Sequence, residues 1–228
     1  MNIEYLNGIR NGKGKEYYDN GKLKFEGEYL YDYKLKGKFY MNGILEYEGE
    51  YLYNKKWNGK GYDENGNIIY ELINGNGKVK EYNDYNDKLI FEGEYLNGKR
   101  NGKGKEYDQD SNLIFEGEYL NGQRWNGKLI EYDGLGSLML EDEYINGKRN
   151  GKGKEYGNYY DKLKFEGEYL NGERSGHGKE YSLIGKIEFE GEYLNDERNG
   201  RGKEYNDQGE LIFEGEYLNG KKISNIKI

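Results

Sequence analysis

From Phe91 to Leu96 the chain alternates strictly, with Phe91, Gly93 and Tyr95 to one side and Glu92, Glu94 and Leu96 to the other. That period of two is the pattern of a β-strand. Asn97-Gly98-Lys99-Arg100 follows with turn chemistry, and a second alternating run, Asn101 to Tyr107, carries the chain back. With Gly98 and Lys99 at the turn centre, Glu94 faces Lys103, Glu92 faces Lys105, Tyr95 faces Gly102 and Gly93 faces Gly104. The expected element is therefore a β-hairpin whose rings lie over bare glycine backbone, with charge pairs across the strands.

The hairpin recurs. Phe-Glu-Gly-Glu-Tyr-Leu starts at Phe25, Phe91, Phe115, Phe165, Phe189 and Phe213, and a variant starts at Tyr47. Each copy leads toward a segment like Asn-Gly-Lys-Gly-Lys-Glu-Tyr, seen at Asn11, Asn101 and Asn150. Anchor spacings are narrow: Phe91, Phe115, Leu140, Phe165, Phe189 and Phe213 follow at 24, 25, 25, 24 and 24 residues. The 44 residues from Tyr47 to Phe91 hold two units, the second of them, near 69–90, degenerate around Tyr70-Glu71-Leu72. Residues 1–228 thus read as one continuous array of about ten units, the first and last truncated or atypical. Linking segments such as Asp108 to Ile114 are polar and end in an apolar pair. A lone hairpin is marginal in water, so stability has to come from neighbour on neighbour. The fold class is all-β, an elongated single-layer hairpin array.

Composition sharpens this. Only 34% of residues are hydrophobic, yet there are 27 tyrosines and 37 glycines at regular places. Tyrosine buries a ring while leaving a hydroxyl to be bonded, so a polar chain can still build a core. The chain has no cysteine, which excludes disulfides and thiolate metal sites. No signal pattern opens it and no apolar run approaches the ~20 residues of a membrane-spanning helix, so a cytoplasmic location is expected. A formal charge of −8 argues against nucleic acid as a partner.

Tyr/Phe-Glu-Gly-Glu-Tyr followed by Asn-Gly-Lys-Arg-Asn-Gly-Lys-Gly closely resembles the MORN repeat, over almost the whole chain. The resemblance implies hairpins joined by linking loops in a grooved single-layer strip, and a scaffold's role at membranes or cytoskeleton. The family's usual Trp after Gly-Glu is tyrosine here, as at Tyr95, Tyr119, Tyr169 and Tyr193, and its usual turn His is Asn101, Asn150 or Ser175.

No catalytic constellation emerges. His177 is the single histidine and stands where other units carry Lys103 or Lys152. The five serines are isolated, the carboxylates repeat as a ladder opposite lysines, and the Gly-Lys strings lack a phosphate loop's spacing and its Ser/Thr. No enzyme activity, cofactor or metal is expected. Three features stand out as partner contacts: the basic turns (Lys99, Arg100, Lys148, Arg149), the tyrosine row (Tyr95, Tyr119, Tyr169, Tyr193), and Trp57 and Trp125, which read as extra residues in their turns, like Leu35. The expected function is non-enzymatic binding or scaffolding of a protein partner through an aromatic groove and a basic turn edge. Alternatives are phospholipid binding at an anionic membrane surface and an antitoxin or immunity-type inhibitor. The isoleucines from Ile223 to Ile228 suit either a charged cap or a homodimer through that terminus.

Overall fold

A computed structural model describes residues 4–83, 86, 88–157 and 162–225. Two of the three isoleucines expected to form a cap or a dimer contact, Ile226 and Ile228, lie outside the described residues. The fold is all-β and, among the described residues, the strands pair antiparallel with strands that follow or precede them in the chain. The chain divides into two compact units, Met1–Asn112 with Tyr119–Gln123, and Leu113–Glu118 with Arg124–Ile228.

In the first unit the hairpin Leu89–Leu96 with Lys99–Tyr107 shows the repeat at full length. Its turn is centred on Asn97 and Gly98, not on Gly98 and Lys99, and both residues are left-handed, at φ 51° and 70°. Two positive φ values in succession twist the turn in the sense of the strands it joins. Leu96 then pairs with Lys99 and Tyr95 with Arg100. Glu92 faces Lys105 and Gly93 faces Gly104 as the alternation implies. In between, the ladder breaks: Glu94 alone spans Asn101, Gly102 and Lys103, and its carboxylate accepts the Lys103 backbone N–H at 3.1 Å. The expected Glu94–Lys103 and Tyr95–Gly102 cross-strand pairs therefore do not form. The tight turn closes first, and the surplus residues are expelled into a bulge that glycine tolerates at φ 87°.

The Trp-bearing hairpins correct a second expectation. Gly49 pairs with Gly59, ten positions on, whereas Gly93 pairs with Gly104, eleven on. Trp57 is thus no insertion. It is the single bulged residue of a hairpin one residue shorter, lying between Lys56, opposite Tyr51, and Asn58, opposite Glu50. Leu35 holds the same place between Lys34 and Lys36.

The second unit repeats the long hairpin three times, in Leu138–Ile145 with Lys148–Tyr156, Leu163–Leu170 with Glu173–Tyr181, and Ile187–Leu194 with Glu197–Tyr205. Its final pair, Leu211–Leu218 with Lys221–Asn225, is of the short kind, with Ile223 in the bulge.

The core lies on one face only. Phe165 and Phe189 are fully buried, and each ring packs edge-on against the tyrosine of its own hairpin and that of the next. Phe165 sits 5.9 Å from Tyr169 and 5.3 Å from Tyr193, with interplanar angles of 82° and 84°. Such edge contacts contribute about 0.5–1.5 kcal/mol each beyond the area they bury. The glycines make room for them: a Cβ on Gly167 or Gly178 would come within 2.6 Å of the Phe165 ring. The Phe-x-Gly spacing is therefore one packing unit, a ring laid over the glycines of two paired strands.

Candidate binding surfaces

The turn arginines close the aromatic face. The guanidinium carbons of Arg100, Arg174 and Arg198 stand 4.2, 3.9 and 4.1 Å from the centres of Phe91, Phe165 and Phe189. Each also reaches back to the glutamate of the preceding Lys-Glu-Tyr segment: Arg100 to Glu81 at 2.8 Å, Arg174 to Glu155 at 2.5 Å, and Arg198 to Glu180. The same glutamates accept the core tyrosines' hydroxyls, Tyr95 on Glu81 at 2.6 Å, Tyr169 on Glu155 at 2.5 Å and Tyr193 on Glu180 at 2.7 Å. Burial works against the charged form of Glu155, but the bonds from Arg174 and Tyr169 and the nearby arginine charges outweigh it, so its carboxyl is held below the usual range. Glu180 is lowered in the same way.

This geometry sets the accessibility of each residue read from the sequence as a partner contact. Tyr119, Tyr169 and Tyr193 are core residues, 3, 4 and 4% exposed, and Tyr95 is half-buried. Arg100 and Arg149 turn inward, Arg149 onto Asp142 and over the Tyr169 ring at 4.5 Å. Lys99 and Lys148 remain exposed. Trp57 and Trp125 are half-buried. The Trp57 ring lies against the turn glycines of following hairpins, so close that a Cβ on Gly75 or Gly98 would stand 2.5 or 3.0 Å from it. Trp125 lies over Gly147 in the same manner, at 3.6 Å.

The opposite face of the second unit carries a trough of about 790 Å³. Its floor is backbone: Gly153, Gly167, Gly178, Gly191, Gly202 and Gly215 lie directly opposite one another on successive strands, and a Cβ there would project to the aromatic face instead. Along one side the paired residues read Lys154, Glu166, Lys179, Glu190, Lys203 and Glu214, alternating in charge at every strand. On the other side Lys152 faces Glu168, His177 faces Glu192 and Arg201 faces Glu216. The first unit has a smaller trough of about 480 Å³ built alike, over Gly14, Gly27, Gly37 and Gly49. Neither trough is apparent from sequence, although each Glu-Gly-Glu or Lys-Gly-Lys triplet is visible there. What the alternation cannot give is which face stays open once Phe, Tyr and Arg have filled the other. Among the described residues no cluster of His, Asp or Glu has the arrangement of a metal site.

The MORN repeat family model matches residues 4–22, 91–112, 143–158, 165–182 and 189–210. The last four matches fall on the long, bulged hairpins, and the short ones with Leu35, Trp57, Trp125 or Ile223 are passed over. No curated protein matches the chain. A solved structure titled "Crystal Structure of TcdB2-TccC3-Cdc42" matches at 12% identity and a TM-score of 0.26, over 92% of this chain and 12% of that one. So low a score assigns neither fold nor function, and this chain spans only that small part of the other. MORN repeats are typical of binding and scaffold proteins. Five MORN repeats, spread between residues 4 and 210, thus lie on an all-β array of antiparallel hairpins.

Proposed function

We propose that this protein is a non-enzymatic scaffold that holds an extended segment of a protein partner in the trough of the second unit. The observation that carries the reading is the glycine floor between charged rows. On six consecutive strands the residues between the charged rows, Gly153, Gly167, Gly178, Gly191, Gly202 and Gly215, have the aromatic face as their side-chain direction and project nothing into the trough, so a partner can approach the backbone closely. Like charges in the Lys154 row recur at every second strand, about 9–10 Å apart. An extended chain covers that distance in about three residues. A partner with charges at that spacing meets lysine and glutamate in register, which favours specificity over raw affinity. The aromatic face offers less, because its own arginines already occupy it. For the same reason an anionic membrane would find mainly lysines along the turns.

A photoreactive residue in place of His177 in the intact chain should capture the partner from cell extract. Affinity for the captured protein should then fall at least tenfold in Lys154→Glu/Lys179→Glu/Lys203→Glu and hold in Lys99→Glu/Lys148→Glu. Equal affinity of the wild-type chain and the trough variant sinks the reading.

A further inference from the structure

The aromatic face of the first unit is not sealed throughout. A cavity of about 480 Å³ opens between the turns at Asn54, Gly98 and Asn121. Three departures from the repeat create it. Phe39 lies opposite Tyr47 as Glu81 lies opposite Phe91, so a phenyl ring stands where a regular unit has its carboxylate. Gly61 takes the glutamate's place in the following return strand, and the Tyr70 ring rests on it. In the degenerate hairpin Leu72 pairs with Gly77 and Ile73 with Asn76, leaving no counterpart of Tyr95 or Arg100 to fill the face.

Two side chains register the loss. Tyr51 occupies the position of Tyr95, opposite Lys56 as Tyr95 is opposite Arg100. It is 8% exposed, lines the cavity, and its buried hydroxyl has no hydrogen-bond partner among the described residues. At Tyr95, Tyr169 and Tyr193 that hydroxyl is satisfied by the glutamate whose place Phe39 takes, Glu81, Glu155 and Glu180 respectively. A buried hydroxyl left unpaired is destabilising, and a ligand that accepts from it recovers the loss. Burial raises the Tyr51 hydroxyl well above its ordinary value, so it stays protonated and able to donate.

Lys56, by contrast, is fully occupied. Its ammonium donates to Glu46 at 2.5 Å, to the Tyr70 hydroxyl at 2.8 Å and to the Lys80 carbonyl at 3.1 Å, among the rings of Phe39, Tyr47, Tyr70 and Tyr82. Burial draws the ammonium below its ordinary range, and the Glu46 carboxylate beside it pulls the other way.

We propose that this cavity binds a small organic anion with a flat apolar body, the Tyr51 hydroxyl donating to one of its oxygens. Phe39, Val79, Tyr82 and Tyr95 supply apolar walls. Of the cations lining it, Lys34 is paired with Glu16, Lys56 with Glu46 and Arg100 with Glu81, while Lys55 and Lys99 are exposed; the one lining carboxylate, Glu81, already accepts Arg100 and Tyr95. The volume lies within the range of small-molecule sites.

The test is fluorescence titration of the intact chain with anilinonaphthalene sulfonate, an aromatic anion. Wild-type protein should bind it at one saturable, blue-shifted site from which 2-naphthoate displaces it and neutral 2-naphthylmethanol does not. Tyr51→Phe should weaken binding about tenfold, the scale of one hydrogen bond to a charged group. Phe39→Glu, which restores the carboxylate of a regular unit, should abolish it, and Tyr193→Phe in the second unit should change nothing. Circular dichroism and melting temperature identify any variant that has lost its fold, and Tyr51→Phe removes a single oxygen. Absence of saturable binding to the wild-type chain, or equal binding by folded Phe39→Glu and Tyr51→Phe, overturns the proposal.

Discussion

The guanidinium carbon of Arg174 rests 3.9 Å from the centre of the Phe165 ring, while its Nη2 reaches Glu155 at 2.5 Å. One side chain thus lids the core of its own hairpin and ties it to the return strand before it. The basic turns of the repeat serve cohesion before they serve any partner.

Arg174→Ala should therefore cost about 2–3 kcal/mol in urea unfolding, from the lost cation–ring contact and from Glu155 left half-buried without that partner. The fold holds the Glu155 carboxyl below its unfolded value, so its contribution is complete above the ordinary carboxylate range and is lost as pH falls through the lowered folded value. The gap between wild type and variant should accordingly narrow as pH drops below about 4. A pH-independent gap would place the effect in packing alone.

Gly178→Ala should destabilise by about 1–3 kcal/mol, because the new methyl would lie 2.6 Å from the Phe165 ring and the ring has no free space to move into. Gly185→Ala, at a linking turn with open space around it, keeps clear of the core and loses only what its φ of 81° costs, about 1 kcal/mol. Chemical denaturation of the two variants side by side checks the order.

The unit at Leu140 carries a paired exchange. Leu140 stands where other units have phenylalanine, and Asp142, 4% exposed, stands where they have the floor glycine, with its carboxylate on Arg149. The aspartate fills the volume the missing ring leaves. Leu140→Phe alone should collide with it and Asp142→Gly alone should leave a void beside an Arg149 held only by Glu155 at 3.7 Å, each costing about 2 kcal/mol or more. The double variant rebuilds the regular repeat and should equal or exceed wild-type stability. Burial raises the Asp142 carboxyl against the pull of Arg149, so ionising it costs the wild type stability as pH rises. The double variant's advantage should grow through the carboxylate range, and a purely additive cycle would refute the exchange.

Trp57→Ala should lower stability by about 2 kcal/mol, since the ring it removes is packed on the turns of Gly75 and Gly98. Trp125→Ala should cost less, its indole leaving room at Gly147 for a Cβ 3.6 Å away. Thermal melts measure both, and an unchanged melting temperature would return Trp57 to the role of a free partner contact.

Strand alternation, turn glycines and the repeat itself were legible in the sequence because each depends on neighbours a few residues away. Glu92 opposite Lys105 and Gly93 opposite Gly104 form as expected although the turn centre differs, because the surplus residues of the bulge restore the register beyond it. The turn centre at Asn97-Gly98 was not legible, because counting residues cannot tell which end of the hairpin absorbs a surplus, and twist decides that in favour of the bulge at Gly102. Nor could spacing reveal that Trp57 replaces two residues instead of adding one.

The open surfaces belong wholly to the tertiary structure. Arg100 and Lys99 are adjacent and alike in sequence, yet one is drawn to Glu81 across hairpins while the other faces solvent. Phe39 looks like a harmless change in a Lys-Glu-Tyr segment until the Tyr51 hydroxyl, twelve residues on, is left without an acceptor. Local pattern fixes which side of a strand a residue occupies. Whether that side is filled, paired or empty depends on side chains about twenty residues away, and only stacking the hairpins brings those together.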